Sequence, residues 1–211
     1  MLKALLAIAA AALGPGGQPA FEGHSEPIRG QVEERIEGSS WRPGCPVGLG
    51  KLRLLELTHW GFDGDVHRGR LVVHRREADG VLAAMKRLFR LRYPIRRMEL
   101  IDRYGADDRR SMNADNTSAF NCRFVAGTSR WSMHAYGRAI DVNPIENPYV
   151  TGSHVSPPAG EPYADRSRRA PGMIHAGDEV VEAFAKKAGW EWGGAWPGGA
   201  RDYQHFSLTG S

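Results

Sequence analysis

Cysteine is scarce in this chain. Only Cys45 and Cys122 occur in 211 residues, and neither sits in a C-x-x-C pair, which argues against a thiolate zinc site. Beyond residue 13 no apolar run approaches the roughly 20 residues a helix needs to cross a bilayer, so no stable membrane anchor is expected. No internal repeat is visible, which sets aside solenoids and propellers. A dominant charge is also lacking. The 28 Lys and Arg against 24 Asp and Glu leave +4, a mild basic excess that suits an anionic surface without singling one out. The densest basic run, Lys86 to Arg97, has no accompanying nucleic-acid motif, and Leu88, Phe89 and Leu91 within it fall at helical spacing. It reads as a solvated helix face, and no nucleic-acid partner is expected.

What is present begins with an export pattern. Met1-Leu2-Lys3 gives a short positive start, Ala4 to Leu13 is an unbroken apolar run, and Gly14-Pro15-Gly16-Gly17 breaks any helix before Pro19-Ala20. That order is expected of a secretory signal over residues 1–20, with a buried N-terminal helix as the alternative. Loss of Lys3 with the signal brings the formal charge to +3. In an oxidising compartment two cysteines favour one disulfide over two free thiols. Closing so long a loop is worth about 4 kcal/mol in the chain-entropy account. Residues 21–40, rich in Gly, Pro, Ser and charge, read as a flexible segment with at most one short helix around Ile28 to Ile36. Residues 41–211 suffice for one core of ordinary size, and the chain is expected to be a secreted monomer.

Within that domain Leu52 to Leu57 and Gly69 to His74 read as strands, joined through the turn Trp60-Gly61-Phe62-Asp63-Gly64. From Glu77 to Leu91, Val81, Leu82, Met85, Leu88 and Phe89 recur at three and four, which predicts an amphipathic helix ended by Pro94. Met98 to Ile101 is a short strand candidate. A second helix is expected with Asp178 as its cap, Val180, Val181, Phe184 and Ala188 as its buried stripe, and Gly189 as its stop. Pro144 to Gly172 reads as one long loop, and loops of such length are commonly functional.

Three segments do not read as scaffold: Asn116 to Arg123, Ser132 to Pro144, and Asp202 to Phe206. His134 and Asp141, seven apart, would face opposite sides of one flat strand. Gly137 permits a bend, and Ala139 to Val142 then reads as a buried strand, so both side chains can approach one point. Asp141 sits between Ile140 and Val142, where an ionised carboxylate is costly unless a cation or donor meets it. Asp202-Tyr203-Gln204-His205-Phe206 places a carboxylate three residues before a second histidine. His205 can then bind a metal with His134 and Asp141, while Asp202 stays unligated nearby. Three N/O ligands leave an open position on a tetrahedral ion such as zinc, with cobalt or manganese as alternatives. Such an ion lowers the pKa of water and polarises a carbonyl, and a neighbouring carboxylate moves the proton. A single histidine is more often a hydrogen-bonded or surface residue, and His24, His59, His67, His74, His154 and His175 keep that reading.

The pattern S-x-H-x-x-G-x-A-x-D followed by D-x-x-H resembles the signature of the zinc D-alanyl-D-alanine carboxypeptidases and L-alanyl-D-glutamate endopeptidases, which share their fold with the hedgehog signalling domain. Asn116 to Arg123, Asp141-Val142-Asn143-Pro144 and Gly189-Trp190-Glu191-Trp192-Gly193-Gly194 look like the endopeptidase-type branch. The resemblance runs from about Leu52 to Leu208. It implies an α+β fold, with a small antiparallel sheet, helices on one face and a zinc cleft on the other. One zinc ion on His134, Asp141 and His205 is implied, with Asp202 as catalytic base. Arg123, on the strand before the first motif, resembles the family arginine that binds substrate and stabilises the oxyanion. Ser132 and Trp196 are further candidates for substrate contact, and a Cys45–Cys122 bond would anchor the strand next to Arg123. The implied partner is the stem peptide of peptidoglycan, in cell wall or periplasm. A non-hydrolytic zinc-bearing wall-binding module and a D-alanyl-D-alanine dipeptidase are the alternatives.

Overall fold

The computed structural model describes Gly17 and residues 19–209; the apolar run of the export pattern lies outside the described residues. The elements in chain order are β1 (Gly23–Pro27), α1 (Gln31–Ile36), β2 (Leu52–Trp60), β3 (Val66–His74), α2 (Ala78–Arg90), β4 (Arg97–Met98), α3 (Asp108–Asn113), β5 (Asn116–Thr117), β6 (Ala139–Asp141), β7 (Tyr149–Thr151), β8 (His154–Ser156), α4 (Glu179–Ala188), β9 (Glu191–Trp192), β10 (Ala200–Asp202) and β11 (His205–Ser207). The class is α+β, as expected. Among the described residues, however, the strands form three three-stranded antiparallel sheets and one parallel pair instead of a single small sheet.

β2 and β3 make the longest ladder, with Leu52 opposite His74 and Trp60 opposite Val66. Leu55, Leu57, Leu71 and Val73 face one way, onto Val81, Met85 and Leu88 of α2 and Phe184 of α4. Leu52, Leu54 and Val72 face the other way, onto Ile28, Ile36 and Phe120. Coverage on both faces explains why β2 is buried along nearly its whole length. Each fully buried leucine contributes about 1.5–3 kcal/mol, so the two layers make this hairpin the rigid frame of the molecule.

Several expectations are corrected. Residues 21–40 are not a flexible tail, because β1 pairs with β2 over its whole length, Gly23 opposite Leu57 to Pro27 opposite Arg53, and Ile28 and Ile36 are buried behind it. Of Met98 to Ile101 only Met98 lies in a strand, the two-residue β4; Ile101 begins a 3₁₀ turn. The span from Pro144 to Gly172 is not one open loop, since it holds the β7–β8 hairpin and a 3₁₀ helix over Pro158–Tyr163. Asp178 occupies the N-cap position of α4, but its carboxylate accepts from the His175 N–H at 2.7 Å and not from the helix. The two cysteines do form a disulfide, Cys45–Cys122, across 77 residues with Cα atoms 5.9 Å apart. Among the described residues no helix is long and apolar enough to cross a membrane.

Two small sheets position the chemistry. In the sheet β6–β11–β9, Asp141 is the register partner of His205. In the sheet β10–β7–β8, Asp202 is the register partner of Tyr149.

Candidate metal centre

His134 stands on a 3₁₀ turn, Met133–Tyr136, and two features set its place. Ser132 caps the turn, its hydroxyl accepting from the His134 N–H at 3.3 Å. Gly137 ends it with φ +66°, and a Cβ there would meet the His74 nitrogen at 2.6 Å. Only glycine suits both the left-handed conformation and the close approach to β3. The chain then turns into β6, which carries Asp141.

The three side chains predicted to meet do meet. His134 Nε2 lies 3.1 Å from Asp141 Oδ2 and 3.3 Å from His205 Nδ1, and His205 Nδ1 lies 3.0 Å from Asp141 Oδ1. A tetrahedral ion bound at about 2.0–2.1 Å has donor-to-donor edges of about 3.3 Å, so the triangle is the right size for zinc. The donor chemistry fits as well. His134 Nδ1 stands 2.5 Å from the Ala119 carbonyl, which holds the proton there and leaves the Nε2 lone pair facing the triangle. All three residues are buried. Burial works against both charges. The paired imidazoles nevertheless hold Asp141 well below the usual carboxylate range, and Asp141 holds His134 above its ordinary value. A buried carboxylate that ionised against two imidazoles is a ready cation site, and binding would displace the shared proton.

The triangle opens into a cleft of about 540 Å³. Asp202, Arg123, Ser132, Trp196 and Gln204 all line it. Asp202 Oδ1 is buried without a partner, and burial pushes this carboxyl up to about 7, with the charge of Asp141 adding to the rise and those of His205 and Arg123 opposing it. Gly193 lets Asp202 and His205 come this close: a Cβ there would lie 2.6 Å from the Asp202 carbonyl and 3.2 Å from His205 Cβ. Trp196 meets His205 edge-on at 5.5 Å, and its buried Nε1 has no partner. Arg123 is not on a strand. It lies in irregular chain beside the Phe124–Trp131 bridge, between the disulfide at Cys122 and the His134 turn.

Three features escaped the sequence reading. Asp108 pairs with Arg123 at 3.0 Å and thereby aims the guanidinium at the cleft. Gln204 points a buried amide into the cleft. Asp115 and Glu146, both buried, share Arg96 at 3.5 and 3.3 Å, and Asp115 also accepts from the Ile145 N–H at 2.9 Å. This last group ties down the chain that leaves Asp141. A lone polar residue carries no periodic signal, and its burial is decided by distant chain.

Burial, and then the adjacent Asp115 carboxylate, push Glu146 up to about 8. Between its ordinary value of 4.5 and about 8 the folded protein keeps a proton that the unfolded chain has released. Stability from this group therefore falls as pH rises through that window. Glu146→Gln, neutral throughout, is expected to remove the slope and to gain on the order of 1–3 kcal/mol over the parent near pH 8, with little difference near pH 4.5. Urea denaturation of both proteins across the window is the check, and parallel stability curves would rule it out.

A buried His–Asp–His triangle in the wall of a cleft, with a second carboxylate and a guanidinium beside it, offers the donors for one metal ion next to a proton acceptor. Residues 126–208 match a family model described as D-alanyl-D-alanine carboxypeptidase. That stretch is less than half of the chain, but it holds His134, Asp141, Trp196, Asp202 and His205, and it supports a zinc-dependent peptidase; Arg123 lies just outside it. No curated protein and no solved structure matches the chain.

Proposed function

We propose that this chain is a zinc-dependent peptidase that hydrolyses an amide bond in the stem peptides of bacterial peptidoglycan, outside the cytoplasm. The observation that carries the reading is the triangle of His134, Asp141 and His205, with edges of 3.0–3.3 Å, at the wall of a cleft that also holds Asp202 and Arg123. His134 Nε2, Asp141 and His205 Nδ1 would hold the ion. When bound, zinc polarises a carbonyl and makes water a nucleophile near neutral pH. Asp202 Oδ1 takes the proton of the attacking water and returns it to the departing amine. Arg123, held by Asp108, faces the negative charge that develops on the carbonyl oxygen, and its buried Nε has no other partner. Ser132 acts through the His134 turn that it caps.

The match to D-alanyl-D-alanine carboxypeptidases supports the substrate class, and the earlier likeness to the endopeptidase branch bears on the bond cut. The test is mass spectrometry of muropeptides incubated with the zinc-loaded protein. The expected result is loss of a stem-peptide amide that chelation abolishes and zinc restores. Products one D-alanine shorter would mark a carboxypeptidase, whereas internal cleavage would mark an endopeptidase. Cleavage of free D-alanyl-D-alanine alone would mark a dipeptidase. Retention of the intact peptides with no new amine would overturn catalysis in favour of a binding module.

A further inference from the structure

Gln204 occupies the two-residue turn between Asp202 of β10 and His205 of β11. Its carbonyl accepts from the Val142 N–H at 3.0 Å, which locks the turn onto the chain leaving Asp141. The side chain is 2% exposed and lines the cleft, yet its amide oxygen is buried without a hydrogen-bond partner. An acceptor left in that state is costly, and a fold keeps it where something else completes the bond. Asp108 and Asp141, in the same cleft, have partners for their charge in Arg123 and in the two imidazoles. A neutral amide oxygen adds no charge to hold a cation, and what it calls for is an N–H donor. An extended peptide brings such donors at every residue.

On the peptidase reading above, we propose that Gln204 reads a backbone N–H of the substrate close to the cut bond. It is thus a specificity residue that selects a peptide unit over an ester at that position. Its place two residues after the proton acceptor and one before a metal-binding histidine puts this reading next to the reacting atoms.

The experiment uses the zinc-loaded protein and a series of stem peptides in which each uncut amide N–H is replaced, one at a time, by an ester oxygen. In the parent protein one replacement should lower kcat/KM by about 10- to 100-fold, the others little. Gln204→Met, similar in length but without the acceptor, should lose about the same factor on the all-amide peptide, chiefly in KM, and become indifferent to that one replacement. Gln204→Glu retains an acceptor and should retain the preference. Circular dichroism and zinc content establish that each variant is folded. Should Gln204→Met fail to fold, the parent and Gln204→Glu must still single out the same amide. The inference is overturned if the parent singles out none, if Gln204→Met matches the parent on the all-amide peptide, or if it pays the same penalty at every position. Under all three outcomes the peptidase reading survives, provided the parent cleaves. A parent protein that cleaves no peptide defeats both.

Discussion

Asp202→Asn is expected to lower kcat by about 10²- to 10⁴-fold while the protein keeps its zinc. Asparagine has the same shape but cannot take a proton, so the substitution separates proton transfer from packing. The expected size follows from the position of Asp202 at the cleft and outside the triangle. Its Oδ1 has no protein partner, and burial brings the carboxyl to about 7, where accepting and releasing a proton are both easy. Single-turnover hydrolysis of a stem peptide measures the loss, and elemental analysis measures the zinc. A rate within about threefold of the parent would remove Asp202 from the proton path. Loss of the ion together with the rate would make it a fourth member of the metal centre.

His205→Ala is expected to abolish both zinc retention and turnover. The change deletes one corner of the triangle and leaves Asp141 buried with a single imidazole, an arrangement that cannot close around an ion. Zinc binds the folded parent and not the unfolded chain, so at about 100 times its dissociation constant it should stabilise the parent by about 2.7 kcal/mol. The variant should show almost none of that gain. Thermal unfolding with and without added zinc reads this independently of catalysis. A His205→Ala protein that dialyses with one zinc per chain would show that the ion sits elsewhere.

The parts of the fold legible in the sequence were those with a repeating apolar signal. β2, β3, α2 and α4 appear within a few residues of where alternation and helical spacing place them. β1 was invisible because all five of its side chains are exposed; its order comes from backbone pairing with β2. The metal centre was readable for another reason. Asp141 is a carboxylate inside an apolar strand, an expense that demands a partner, and two histidines lay in segments with no scaffold role. Their convergence depended on Gly137 and on the β6–β11 register, and Gly137 at least was visible as a bend. Asp108, Gln204 and the Asp115–Glu146 pair were not legible, because nothing local distinguishes a polar side chain that will be buried from one that will not.

β10 and β11 are joined by only Tyr203 and Gln204, although they belong to different sheets. Strand side chains alternate between faces, so inserting or deleting one residue in this joint would rotate either the proton acceptor or the histidine away from the cleft. The interval between Asp202 and His205 is therefore a mechanical dimension of the molecule, a spacer cut to length.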